Sequence, residues 1–162
     1  MSDGPLEDQR TDTQPGSVLL QIHFVADQIT AARQQVTRCL QAHGLLEGDR
    51  LDDFVTAINE AMTNAVRHGG GRGELRLWRD RQLVCEVTDR GSGLPAALPI
   101  PHARPQPSAN GGMGLWLARQ LADSMEVDSG LDGVRVRLAM ALPADPAHPE
   151  RAGSAQERAT GR

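Results

Sequence analysis

Lysine is missing from this 162-residue chain, because all 17 of its basic residues are arginines. A Walker A loop needs a lysine on the nucleotide phosphates, and a eukaryotic-type protein kinase needs one on its third strand. The composition therefore excludes both of these classes of nucleotide-binding protein. If the chain handles ATP, it must do so through another fold.

Aromatic residues are also scarce, with two Phe, two Trp and no Tyr, and the net charge is −4. This composition argues against a direct nucleic-acid partner, which favours a basic surface with stacking aromatics. No apolar run is long enough to span a bilayer, and the acidic, polar N-terminus does not resemble a signal peptide. The two cysteines, Cys39 and Cys85, form no metal-ligand spacing. They indicate reduced thiols, so we expect a cytoplasmic protein without a membrane partner.

The order of hydrophobic patterns predicts one folded domain over residues 17–142, between a disordered lead (1–16) and a disordered tail (143–162). The elements follow as strand, two helices, two strands, a long loop, helix and two strands. This order is typical of a two-layer α/β (α+β) sandwich, with a mixed, mostly antiparallel sheet and helices on one face. The loop, about residues 94–110, contains five prolines and is expected to be a lid.

Aspartates are predicted to begin the first two helices. Asp27 has the position of an N-cap for a helix that Gly44 ends. Asp52 or Asp53 is expected to open the second helix, which ends at His68 before three consecutive glycines.

The second helix carries a line of polar residues beside its apolar stripe. Thr56, Glu60 and Asn64 recur at four-residue intervals and therefore lie on one line of the helix. Such a line is typical either of a boundary row on a surface helix or of a base and a metal ligand aimed into a cleft. The glycine clusters downstream favour the cleft.

Two glycine clusters flank the predicted lid. Asp89, Gly91 and Gly93 follow a strand and lead into a loop, unlike the dinucleotide-binding fingerprint, whose glycines open a helix. A carboxylate there can accept a hydrogen bond from the exocyclic amine of a flat heterocycle, and the glycines leave room for the ring. The second cluster, 112–114, precedes a helix, whose first N–H groups and dipole favour a phosphate. Each cluster alone is also common in turns.

Together and in this order, these motifs resemble the ATP-binding domain of the GHKL superfamily. Within it, the chain resembles the stand-alone bacterial anti-sigma-factor serine/threonine kinases of partner-switching modules. The similarity extends from Val18 to Leu142 and is strongest in AINEAMTNAVRH (57–68) and GMGLWLARQLAD (112–123). It implies a Bergerat-type ATP-binding fold.

The resemblance also implies a role for each motif residue. Glu60 would be the general base for an incoming serine hydroxyl, and Asn64 would ligate the Mg²⁺ that bridges the triphosphate. Asp89 would contact the adenine amino group. The residues implied to contact ATP or its metal ion are Asn64, Asp89, Gly91, Gly93, Gly112, Met113 and Gly114.

The function that the resemblance implies is an ATP-binding anti-sigma factor with serine/threonine kinase activity. Its partners would be a sigma factor and the anti-sigma-factor antagonist that it phosphorylates, and the family suggests a homodimer. The alternative is an ATP-dependent switch module that binds partners without moving a phosphate. Members of the superfamily that hydrolyse ATP usually use a lysine from an adjoining domain, and this sequence has no lysine, so we do not expect a self-contained ATPase. We do not expect a histidine kinase either, because the phosphoacceptor helix is missing.

Overall fold

The computed structural model describes residues 16–91, 104 and 113–143. Within these residues the elements follow the predicted order, with one turn of 3₁₀ helix, Ala26–Gln28, ahead of the first α-helix. The elements are β1 Ser17–Val25, α1 Ile29–Ala42, α2 Gly48–His68, β2 Arg72–Arg79, β3 Gln82–Thr88, α3 Met113–Leu121, β4 Ser124–Gly130 and β5 Gly133–Ala141. The predicted lead, lid and tail lie almost wholly outside the described residues and stay predictions.

The strands form one sheet in the order β1-β2-β3-β5-β4, and every pairing in the described part of the chain is antiparallel. The short link after Arg79 closes the predicted hairpin of β2 and β3, and Leu131 and Asp132 turn between β4 and β5. Short loops of this kind permit antiparallel neighbours only. The predicted mostly antiparallel sheet of a two-layer α+β fold is confirmed.

The core lies between one face of the sheet and the helices. Alternate residues of β2, β3 and β5 are buried, as a strand that faces a core on one side requires. Helix α2 packs between α1 and α3, and it contacts β2, β3 and β5. Its buried stripe recurs every three or four residues and comprises Leu51, Phe54, Ala57, Ile58, Ala61, Met62 and Ala65. This stripe fixes the direction in which the neighbouring polar line of α2 points.

Both predicted helix starts are wrong. Asp27 lies in the 3₁₀ turn, and α1 begins at Ile29 without a side-chain cap. Helix α2 begins at Gly48, a full turn before Asp52, because Gly48 takes a left-handed φ of 55° directly after the extended residue Glu47. The predicted end at His68 is confirmed. In the described part of the chain, no helix is both long and apolar enough to cross a bilayer.

Candidate functional site

The polar line of α2 runs from solvent towards the interior. Thr56 is exposed, whereas Glu60 and Asn64 are both half-buried. Their neighbours Ala61 and Met62 are buried in the core, so this part of α2 cannot rotate without losing apolar contacts. Glu60 and Asn64 are therefore held one turn apart on the same side of a packed helix.

Helix α3 brings Gly114, the last residue of the second glycine cluster, onto this part of α2. A Cβ atom built on Gly114 would lie 2.8 Å from Oε2 of Glu60. The Glu60 carboxylate therefore stands directly against the first turn of α3, where unpaired N–H groups and the helix dipole favour negative charge. Met113 begins the same turn. Gly112 lies outside the described residues.

Asp89 occupies the end of β3 and is 4% exposed, the one buried charged or polar residue in the described part of the chain. Its Oδ1 accepts hydrogen bonds from the backbone N–H of Gly91 at 2.9 Å and of Val134 at 3.2 Å. Its own N–H donates to the carbonyl oxygen of Val134 at 2.9 Å. The carboxylate is thus held by backbone groups of two chain segments. Gly93, the last residue of this motif, lies outside the described residues.

Two further glycines make room for Asp89. A Cβ on Gly69 would lie 2.2 Å from Cγ of Asp89 and 2.3 Å from the carbonyl oxygen of Ala65. A Cβ on Gly133 would lie 2.0 Å from the carbonyl oxygen of Asp89. Gly91 in turn packs on Gly69, since its Cβ would lie 2.6 Å from the Cα of Gly69. The end of α2 and the end of β3 therefore meet through glycine backbone.

Sequence reasoning missed Gly69 and Gly133 as site residues. It treated Gly69 as one of three glycines that end α2, and Gly133 as part of a turn. Gly70 and Gly71 take left-handed φ values of 82° and 83° and have open space where a Cβ would be. Nothing in a run of three glycines distinguishes the one that makes a tertiary contact from the two that turn the chain.

Asn64 is the residue that the sequence predicts as a metal ligand, and its side chain offers one amide oxygen. No group of three or more His, Cys, Asp or Glu in the described part of the chain is placed to hold a metal. Magnesium is commonly bound with few protein ligands.

Neither cysteine belongs to the site. Both are free thiols, Cys85 on the core side of β3 and Cys39 on α1. Burial raises the pKa of both thiols. They are therefore protonated at neutral pH, and neither is an activated nucleophile.

The chain is similar to known proteins in sequence and in fold. The histidine kinase-like ATPase domain family matches residues 23–140, a span that includes the motifs on α2, β3 and α3. An anti-sigma F factor of Clostridium acetobutylicum is 33% identical over 90 residues, which cover 50% of this chain and 62% of that protein. An anti-sigma F factor of Clostridium botulinum is 31% identical over 101 residues, which cover 56% of this chain and 70% of that protein.

The chain spans 62% of the length of the first of these relatives. Among solved structures, the fold is similar to that of the RsbU and RsbW domains of a Mycobacterium tuberculosis protein, with a TM-score of 0.52 and 22% identity. That similarity covers 76% of this chain and 32% of the other. At this identity the likeness concerns the fold alone.

Proposed function

The chain belongs to the histidine kinase-like ATPase domain family, and from this premise we propose that it is an ATP-binding anti-sigma factor that phosphorylates an anti-sigma-factor antagonist on serine or threonine. The observation that carries the proposal is the position of the Glu60 carboxylate. It lies against the first turn of α3 and one helical turn from Asn64. This position supports the proposal that Glu60 is the base, Asn64 the magnesium ligand and the start of α3 the anion-binding helix end.

The base of ATP is proposed to bind at Asp89. The carboxylate is buried and its direction is fixed by the N–H groups of Gly91 and Val134, so it can present an acceptor to an exocyclic amine without rearranging. Gly91 and Gly93 would line the ring, because a residue without a Cβ permits close approach of a flat heterocycle. This end of the site would recognise the adenine base.

The phosphates are proposed to bind between α2 and α3. Gly112, Met113 and Gly114 would offer backbone N–H groups at the start of α3, and Asn64 would hold Mg²⁺. When bound, the ion neutralises charge on the phosphates. This chain has no lysine for that purpose, and the start of α3 is proposed to face the phosphates while Asn64 holds the ion.

Glu60 is proposed to accept the proton of the protein hydroxyl that receives the phosphoryl group. The hydroxyl oxygen forms a bond to the γ-phosphorus as the bond to the bridging oxygen breaks and ADP leaves. A carboxylate within hydrogen-bond reach of the hydroxyl is the usual requirement for such a base.

The proposed partners are a sigma factor and its antagonist, in the cytoplasm. The name "anti-sigma F factor", carried by the relatives from two Clostridium species, supports this part of the proposal. A homodimer is part of the same proposal, and chromatography with light scattering tests it directly.

Calorimetric titration of ATP with and without Mg²⁺ tests binding. We expect magnesium-dependent binding that Asn64→Ala weakens about 10-fold or more, since a lost metal-ligand contact typically has this effect. Thr56→Ala is the matched control, because Thr56 lies on the same line of α2 but is exposed. Absence of ATP binding in the unaltered protein would overturn the proposal.

Transfer of labelled γ-phosphate to antagonists encoded beside the chain tests the chemistry. Glu60→Gln should keep ATP affinity and lose at least ~10²-fold in transfer rate, the usual contribution of a general base. Glu47→Gln, an exposed substitution ahead of α2, is the control. If ATP binds and changes which partner is held, but no phosphate moves, the switch module without phosphotransfer replaces the kinase.

A further inference from the structure

Glu60 lies at the position where a residue other than glycine at 114 would carry its side chain. The three atoms nearest to a Cβ built there all belong to Glu60: Oε2 at 2.8 Å, and Cβ and Cδ at 3.9 Å each. Real Cβ atoms essentially never approach another atom within 3.0 Å. The space beside the Cα of Gly114 is therefore the space in which the Glu60 carboxylate stands.

We propose that Gly114 is a positioning residue for Glu60: its missing side chain sets where the carboxylate stands and so where the base points. This inference rests on the proposed function, in which Glu60 accepts the proton of the attacking hydroxyl. The resemblance implied only that Gly114 holds phosphates. The contact gives it a second role, exerted through a side chain on the facing helix.

A methyl group at position 114 would displace the carboxylate and leave the helices in place. The oxygen that it meets is the far end of a flexible side chain, which moves at low cost. The helices are held by core residues on either side of the contact, Ala61 and Met62 on α2 and Leu115 and Ala118 on α3. The fold thus resists a change in helix spacing, whereas the carboxylate can turn.

Such a displacement acts on chemistry more than on binding. A general base works only within hydrogen-bond reach of its proton, and a misplacement of about 1 Å can lower a rate by ~10²-fold. The group that Gly114 is proposed to offer to the phosphates is its backbone N–H, which alanine also carries, and the base of ATP is proposed to bind at Asp89, after β3. A side chain at position 114 should therefore separate the transfer rate from ATP affinity.

Gly114→Ala tests this with three measurements: ATP affinity, phosphotransfer rate at saturating ATP, and the thermal unfolding midpoint. We expect ATP affinity within about 3-fold of the unaltered protein and a transfer rate lower by ~10-fold or more. The unfolding midpoint should be unchanged or raised, because alanine is a better helix former than glycine. Gly130→Ala is the matched control, since a Cβ there meets nothing and its φ is ordinary.

Glu60→Asp provides the rescue. Aspartate is shorter by one methylene, so its carboxylate can stand clear of an alanine at position 114. Combined with Gly114→Ala it should transfer phosphate faster than Gly114→Ala alone, although Glu60→Asp by itself is slower than the unaltered protein. If Gly114→Ala lowers ATP affinity as much as it lowers the rate, and the shorter acid rescues nothing, Gly114 acts through the phosphates alone and the proposal is wrong.

A failed kinase assay on the unaltered protein would overturn the proposed function but would not test whether Gly114 positions the Glu60 carboxylate. The thermal unfolding midpoint tests that contact separately. Glu60→Ala removes the carboxylate that a side chain at 114 would meet, so Gly114→Ala should raise the midpoint more in that background than in the unaltered protein. Equal shifts in the two backgrounds would show that position 114 does not control the carboxylate.

Discussion

The two ends of the candidate site are built differently. At one end, Asp89 is 4% exposed and its carboxylate is held by backbone N–H groups. The glycines around it face backbone: Gly133 meets the carbonyl of Asp89, and Gly69 meets the carbonyl of Ala65 as well as the Asp89 side chain. At the other end, Glu60 is half-buried, and the three atoms nearest to a Cβ on Gly114 belong to the Glu60 side chain.

This difference determines what each end can do. Backbone atoms that belong to a sheet or a packed helix cannot move aside singly, so the Asp89 end keeps one shape. Such an end suits recognition of a rigid planar group. The Glu60 end contains a carboxylate that can change its rotamer, and it suits a step in which a proton has to be taken from a mobile partner. Substitutions at the two ends should therefore fail in different ways.

The largest effect is expected from Gly69→Ala. Gly69 has an ordinary φ of −104°, so alanine adds no backbone strain there, but its Cβ would lie within 2.3 Å of the Ala65 carbonyl oxygen and the Asp89 side chain. Overpacking of this kind costs about 2–3 kcal/mol. We expect the free energy of unfolding, measured with denaturant, to fall by that amount and ATP binding to be lost with it.

Gly70→Ala is the control that separates the cost of a steric clash at Gly69 from the cost of backbone strain. Gly70 has a left-handed φ of 82° and open space where a Cβ would be, so alanine there introduces strain alone, about 1 kcal/mol. A cost at Gly69 no greater than the cost at Gly70 would contradict the close contact between α2 and Asp89.

A smaller effect, confined to binding, is expected from Asp89→Asn. The amide oxygen can still accept from the N–H groups of Gly91 and Val134, so the fold should survive. The second carboxylate oxygen is replaced by the amide NH₂ group, which cannot accept a hydrogen bond from the amino group of adenine. Loss of a hydrogen bond to a charged acceptor predicts ATP affinity about 10- to 100-fold lower by calorimetry.

The same substitution also makes a prediction about base preference. The amide NH₂ of Asn can donate a hydrogen bond to the carbonyl oxygen that guanine carries in place of the adenine amino group. The preference should therefore shift from ATP towards GTP. Asp128→Asn, an exposed substitution on β4, is the control. Unchanged affinity for both nucleotides would place the base elsewhere.

Sequence patterns were sufficient for the architecture because burial imposes periodicity. The two-residue period of β2, β3 and β5 and the stripe of α2 both follow from which side chains face the core, and both are visible in the letters. The starts of α1 and α2 were mispredicted because their caps use backbone conformation, including a left-handed Gly48, and no side-chain hydrogen bond. An aspartate near the expected start of a helix does not show whether the cap is made by its side chain or by the backbone.

The site was predictable in its motifs and unpredictable in its contacts. The four-residue spacing placed Glu60 and Asn64 on one line of α2, and the glycine clusters downstream favoured a cleft beside that line. That Gly69 packs on Asp89, and that Gly114 faces Glu60, depends on where separate elements meet in space. A glycine in a sequence shows only that a side chain is missing, and the structure shows what occupies its place.

The smallest effect concerns the start of α2, the helix that carries Glu60 and Asn64. Nη2 of Arg50 donates to Oδ2 of Asp123 at 2.7 Å and to the carbonyl oxygen of Ala141 at 3.0 Å, and the N–H of Ala141 donates to the same carboxylate oxygen at 2.7 Å. The hydrogen bond from Arg50, followed by that from Ala141, holds the pKa of Asp123 below its usual value. These bonds tie α2 to the end of β5.

The pH dependence of this tie follows from the sign of the shift. The depressed pKa of Asp123 means that the folded state favours its ionised form. Its stabilisation is therefore present above the ordinary aspartate pKa of about 3.9 and is lost as the pH falls through the lower folded value. Because the Asp123 side chain is 39% exposed, Asp123→Asn should cost only about 0.5–1 kcal/mol of unfolding free energy at pH 7. The cost should shrink as the pH falls below the ordinary aspartate range and the folded state takes up the proton, as measured by denaturant titration with Asp128→Asn as control.

ATP affinity should not follow this loss. The tie acts at the first turn of α2, whereas the buried stripe from Phe54 to Ala65 holds the part of the helix that carries Glu60 and Asn64. Calorimetry on Asp123→Asn should therefore give an ATP affinity within about 2-fold of the unaltered protein, well inside the effect of one ordinary hydrogen bond. A larger loss would mean that α2 moves as a rigid rod, and that the Glu60 end depends on the whole helix as strictly as the Asp89 end depends on its glycines.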